Sequence, residues 1–421
     1  MKFLKSCFSL IAVISFTVFM SGCGKGEPID NAAEYISTVD TMDIPDDVEV
    51  IGLGEATHGN VEFQELKQQV FETLVKNEDV RVFVLEGDFG GGQQINNYIL
   101  HGEGSAEAAV NSLDYSIYKT QLMIDLVEWM HNHNKSVKDD EKIRFYGNDM
   151  QRYDYSKKNL LDYLAVVDKE SADKYSDQLK HVSNETMRDL TTEQLEKVDK
   201  TIKDILQDLQ SNEAKYLEHS SSDEFAFAIA NTQNMKQRTQ LFLSEENYTN
   251  LRDQYLAENL QWIMEYEKKR GNEKVFFSGH NGHVEKTSAS PAGYKSMGNY
   301  LEEEYGTKYF AIGTDFINSK FQAKNDDSGN RKTFTVKNHH DLVDAFSEVE
   351  PNTFYVEFEK SRESEELSKI LSSEQKMANI GDDFRSWYKL LKMFYTIEMV
   401  PDQAYDGVII VKNATPTKVI E

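Results

Sequence analysis

Two cysteines in 421 residues cannot build a disulfide framework or supply a four-thiolate zinc site. Basic residues are also scarce, 46 Lys and Arg against 72 Asp and Glu, for a formal charge of −26. Such a chain has no obvious basic face for gripping phosphate backbones, so nucleic acid is not an expected partner. No Gly-x-Ser-x-Gly nucleophile elbow occurs. The glycines at 90–92 lack the spacing and ending of a phosphate loop and read as a flexible loop. Beyond the N-terminus no apolar run approaches the roughly 18 residues a spanning helix requires. What is present is 39% hydrophobic and 11% aromatic, enough to bury a sizeable core. The length fits about two to three ordinary units, or one large α/β domain with insertions.

The first 23 residues read MKFLKSCFSLIAVISFTVFMSGC. Lys2 and Lys5 give a positive start, residues 8–20 an apolar stretch, and Ser21 and Gly22 precede Cys23. This pattern is a secretory signal, with an ending similar to a bacterial lipobox. The expectation is a signal peptide over 1–22, a lipidated segment over 23–45 beginning at Cys23, and a body over 46–415. The protein would then be exported and anchored to the outer face of the cell membrane. Cys7 leaves with the signal and Cys23 carries lipid, so neither a disulfide nor a cysteine nucleophile remains. With a strongly acidic body, membrane contact is expected only through the lipid.

Short β-branched and aromatic runs at 48–53, 80–85, 143–146, 275–278, 309–313, 354–358 and 407–411 alternate with helical patterns such as 61–76 and 119–131. Nearly continuous apolar runs between helices predict an α/β fold, a mainly parallel central sheet flanked by helices. Residues 155–250 read as an all-helical insertion, with Thr191 and Gln194 at capping-box spacing ahead of a three-and-four apolar repeat. Residues 323–332 read as a polar loop.

Chemistry-bearing residues collect where strands are expected to end. The first run leads to Glu55 and His58, the second to Glu86 and Asp88, the third to Asp149, and the fourth to His280 and His283. In an open parallel sheet the carboxyl ends of the strands form one rim beside which ligands bind. Each residue has a plainer reading: a helix cap for His58, a buried ion pair for Glu86, satisfied core imidazoles for His280 and His283. His131, His133, His339 and His340 fall in polar stretches expected to be exposed and receive no role. Without a serine or cysteine nucleophile, hydrolysis would proceed through an activated water. A histidine can take the proton near neutral pH, with a carboxylate fixing its tautomer.

These segments resemble the erythromycin esterase family: GLGEATHGNVEFQELK (52–67), VFVLEGD (82–88), RFYGNDMQ (144–151), RDQYLAENLQW (252–262) and GHNGHV (279–284), in the family's order. The resemblance implies metal-independent hydrolysis of a carboxylic ester, a macrolide-type lactone being the leading substrate. It implies His58 as general base, Glu55 and Glu86 orienting it or the water, and His280 and His283 as the opposite wall. Lys67 stands where the esterase motif carries a functional arginine, which keeps the charge without the bidentate fork. Lys67, Asp88 and Asp149 are expected at the substrate. Two other readings use the same residues. One is a metallohydrolase in which Glu55, His58, His280 and His283 hold a divalent ion. The other is a lipid-anchored binding protein.

Overall fold

In the computed structural model, which describes residues 26–326 and 328–420, all seven expected apolar runs form strands. Cys23 and the signal segment lie outside the described residues. The strands are β1 (Ile36–Ser37), β2 (Val50–Glu55), β3 (Val82–Asp88), β4 (Arg144–Asp149), β5 (Val275–His280), β6 (Tyr309–Asn325), β7 (Arg331–Lys337), β8 (Thr353–Glu357), β9 (Gln375–Ala378), β10 (Asp383–Phe384), β11 (Thr396–Met399) and β12 (Gly407–Ala414). The main sheet runs β1-β8-β12-β6-β2-β5-β3-β4, with β7 and β10 also paired to β6. The six strands from β12 to β4 are mutually parallel, while β1, β8 and β7 pair antiparallel. This is the mainly parallel α/β sheet that the apolar runs imply.

Alternation of side chains puts Ile51, Leu53, Phe83, Leu85 and Phe276 in one buried cluster and Val50, Val82, Val84 and Phe277 in another. Both faces are covered, so these strands carry no solvent-side polar residue until their carboxyl ends. On the first face Phe71 of the helix Val61–Asn77 packs against Phe83 and Phe276, with ring centroids at 5.0 and 5.5 Å.

Between β4 and β5 the chain is helical, from Asp154–Val167 through Thr192–Ser211 and Ser222–Leu243 to Tyr248–Lys268. Leu160, Leu164, Ile202, Ile205, Leu209 and Met235 form a core separate from those of the sheet. Thr191 and Gln194 make the capping box that their spacing implies. The last helix, Tyr248–Lys268, instead packs Leu256, Leu260, Ile263 and Met264 against the sheet. It thereby returns the chain to the strand ends.

Two local expectations fail. Gly90, Gly91 and Gly92 are not a flexible loop but the buried first turn of the helix Phe89–His101. A Cβ there would collide with the backbone of Ser156, Ser112 and Gly147, so the glycines serve close packing. The polar stretch from 323 is partly strand: β6 continues to Asn325 and Ala323 pairs with Lys332 of β7. Among the described residues no helix is long and apolar enough to cross a membrane.

Candidate active site

Glu55 is the last residue of the central strand β2, in register with His280 at the end of β5. His58 follows three residues later in the tight connection to the helix Val61–Asn77. Its Nδ1 lies 2.6 Å from Glu55 Oε1, and Lys67, one turn and a half into that helix, donates to Glu55 Oε2. Glu55 and Lys67 are only 2% exposed and His58 8%. Burial opposes ionisation of Glu55, but Lys67 and His58 outweigh it and hold the carboxyl down at about 2. Burial would also lower His58, yet the charge and hydrogen bond of Glu55, with the charge of Glu86, raise it above its ordinary value. Glu55 therefore accepts from Nδ1–H and leaves Nε2, for which no hydrogen bond is made among the described residues.

The second wall comes from β3, β5 and the returning helix. Glu86 Oε2 accepts from the His280 backbone N–H at 2.8 Å, and Oε1 accepts from Arg252 Nη2 at 2.7 Å and lies 3.2 Å from His283 Nε2. His283 Nδ1 is 2.7 Å from Asp253 Oδ1. Burial works against charge on His283, but Asp253 and Glu86 push it up to about 10 despite the neighbouring Arg252. Burial likewise opposes ionisation of Glu86, which His283, Arg252 and His58 together hold well below the usual carboxylate range.

Between these walls His280 takes the opposite course. Burial and the charge of His58 push it down to about 3. Its Nε2–H donates to the Ile380 carbonyl at 3.0 Å, and its ring lies 5.1 Å from that of His58 and 6.5 Å from that of His283. Three neighbouring imidazoles thus differ in proton affinity, low at His280, high at His283 and raised at His58, although Arg252 Nη1 donates to His283 Nε2 at 2.9 Å and opposes a second proton there.

Glu55, His58, Glu86, His280 and His283 come together, as the strand ends require. The three residues expected at the substrate are each engaged within the protein. Asp88 is wholly buried and accepts from Gly91 N–H at 2.6 Å as the cap of the helix Phe89–His101; burial pushes its carboxyl up to about 8. Asp149 is 1% exposed and occupied by Arg252 Nη2 at 2.7 Å, Tyr115 Oη at 3.1 Å and Gln151 N–H at 2.9 Å. Lys67 is buried against Glu55 and reaches no open surface. His340, expected exposed, is buried, with Nε2 3.0 Å from Asp315 Oδ2 and Nδ1 3.1 Å from Gln375 Oε1.

Arg252 and Asp253 have no role in the sequence reading because they lie inside a helix far from any strand end. Their signal was their place at the head of the matching segment RDQYLAENLQW (252–262). As to a metal, among the described residues no group of three or more His, Cys, Asp or Glu is disposed to hold one. The ring nitrogens of His283 and Nδ1 of His58 already face carboxylates.

A sequence profile described as erythromycin esterase matches residues 75–414. Erythromycin esterase type II of Escherichia coli is 23% identical over 402 residues, covering 89% of this chain and 91% of that protein. Among solved structures, a Bacillus cereus protein superposes with a TM-score of 0.77 at 24% identity, covering 94% of this chain and 97% of that one. A succinoglycan biosynthesis protein gives 0.75 at 19%, covering 92% and 96%. A mutant of the erythromycin esterase EreC in its open conformation gives 0.64 at 15%, covering 89% and 93%.

Proposed function

The chain belongs to the erythromycin esterase family, whose activity is ester hydrolysis, and from that premise we propose that it opens a macrolide-type lactone with water activated by His58. The observation that carries this reading is the buried Glu55–His58 pair with Nε2 uncommitted, at the carboxyl end of the central strand. Nε2 removes a proton from water as its oxygen attacks the ester carbonyl. Glu55 then steadies the imidazolium, and the proton passes to the departing alkoxide as the carbon–oxygen bond breaks. Arg252 contributes buried positive charge to the other wall and donates to His283 Nε2, and an oxyanion there would gain from that charge. No metal is required in this scheme.

The site residues are 2–8% exposed, so a large ester enters only after the rim opens. The test is incubation of the protein with erythromycin and with a panel of lactones and simple esters, before and after exhaustive chelation. Gain of one water by a lactone, unaffected by chelation and absent with His58→Ala, is the expected result. Loss on chelation with rescue by a divalent ion would instead favour the metallohydrolase, and a ligand bound unchanged would favour a binding protein.

We propose, from the lipobox-like ending alone, that the chain is exported and lipidated at Cys23. Incorporation of labelled fatty acid, lost in Cys23→Ser, is the expected outcome.

A further inference from the structure

Among the described residues the exposed large apolar side chains are few, and they are not scattered. Trp387, Leu390, Leu391 and Met393, at 45, 73, 52 and 73% exposure, fall within seven positions, and only Val166 and Leu217 lie elsewhere. A clustered apolar surface marks an interaction site where single exposed residues do not. The segment is also built. Trp387 packs edge-on to Tyr388 and Phe394 at 4.8 and 4.6 Å, Tyr388 stacks on Phe394 at 4.8 Å, and Tyr388 meets the buried Phe384 at 5.5 Å. The aromatic base holds two short 3₁₀ turns, Tyr388–Leu390 and Lys392–Phe394, whose leucines and methionine project outward.

We propose that this knob docks onto the interface of a lipid bilayer. Two observations favour a membrane over another protein. First, the chain from Ser386 to Phe394 carries the exposed Lys389, the part-buried Lys392 and no acidic residue, although acids outnumber bases 72 to 46 overall. Tryptophan, leucine and methionine beside lysines is the chemistry of an interfacial segment, in which rings sit at headgroup level and amines meet phosphates. Local sign therefore differs from net charge, and it is the local charge that meets the surface within a Debye length.

Second, the first described residue emerges beside the knob. Gly26 N–H donates to Asp344 Oδ2 at 2.9 Å, Asp344 Oδ1 lies 2.7 Å from His339 Nδ1, and Lys392 donates to the His339 carbonyl. Cys23 is three positions before Gly26. An anchor at Cys23 and the knob would thus address the same surface, although the knob does not depend on lipidation. The base of the same excursion also touches the site: Asn379 N–H donates to the Tyr395 carbonyl at 2.9 Å, and the next carbonyl, of Ile380, accepts from His280. This places the proposed esterase centre near the membrane-facing side, a consequence that rests on the functional reading above; the docking itself does not.

The experiment uses residues 23–421 with Cys23→Ser, the form that processing would leave, so that no lipid contributes. Sedimentation is measured with vesicles of about three parts phosphatidylcholine to one of phosphatidylglycerol at physiological salt. Co-sedimentation and a blue shift of tryptophan emission are expected, both weakened at least about tenfold in the double variant Leu390→Asp/Met393→Asp. Both residues are exposed, so circular dichroism and hydrolysis of soluble esters should match the parent. Vesicle binding that is absent, or is unchanged in the variant, overturns the proposal. So does self-association in sedimentation velocity that the same variant abolishes, since the occupant would then be a second copy. A parent protein that binds vesicles but hydrolyses no ester would count against the functional reading alone.

Discussion

Two buried histidine–carboxylate pairs sit at neighbouring strands of one sheet, and only one is built for proton transfer. At β2, His58 gives Nδ1 to Glu55 and keeps Nε2 uncommitted, with Glu86 adding to its affinity for a proton. At β6, His340 meets Asp315 with one nitrogen and Gln375 with the other, and Asp315 also accepts from Asn338, Phe316 N–H and Ala378 N–H. That second pair ties β6 to β9 and leaves nothing to offer a substrate. A carboxylate beside an imidazole is therefore not sufficient; the state of the second nitrogen decides between chemistry and scaffolding.

The sharpest way to break this comparison is to remove each imidazole. His58→Asn should lower kcat/KM on any accepted ester by about 10²–10⁴-fold. His340→Asn should leave it within about threefold while lowering stability by roughly 1–3 kcal/mol, because Asp315 loses a buried partner. Similar activity losses in steady-state assays would erase the distinction. Next in size is Arg252→Met, which strands Glu86 and Asp149 as buried charges. A cost of about 3–5 kcal/mol in urea unfolding is expected, and a neutral result would mean that the guanidinium is not what balances that wall.

Smaller effects concern pH. Glu55 supplies the largest upward influence on His58, so activity should rise with pH through a midpoint above 6.5. Glu55→Gln should carry that acid limb to lower pH while reducing the plateau; a limb that stays in place assigns it to another group. His280 sets a separate test. Its proton affinity corresponds to about 3 in the folded state against 6.5 for the free side chain, so the unfolded chain protonates first as pH falls. The associated stability is complete above 6.5 and is lost progressively toward 3. His280→Asn should flatten the decline of the urea midpoint across that window, and equal slopes would contradict a neutral buried imidazole.

The apolar runs revealed the parallel sheet because strands covered on both faces cannot hide polar residues along their length. For the same reason the first acids and imidazoles after each run, Glu55, Glu86 and His280, were legible as rim residues. Asp88 and Asp149 satisfied the same pattern and proved to be a helix cap and an Arg252 partner, because a strand end positions backbone demands as well as ligands. Arg252 and Asp253 escaped because their placement depends on where a long helix lands after more than a hundred residues, which no local pattern encodes. The glycines at 90–92 misled for a related reason: their neighbours Ser112, Gly147 and Ser156 are remote in sequence.

The central position of β2 has a consequence for synthesis. Its hydrogen-bonded neighbours are β5 and β6, which begin at Val275 and Tyr309, roughly 220 and 250 residues downstream of Glu55. At typical ribosomal speeds β2 stays without partners for roughly 10–40 s, and the sheet closes only when most of the polypeptide has been made. Glu55 and His58 therefore gain their partners His280 and His283 only after about two thirds of the chain has been made.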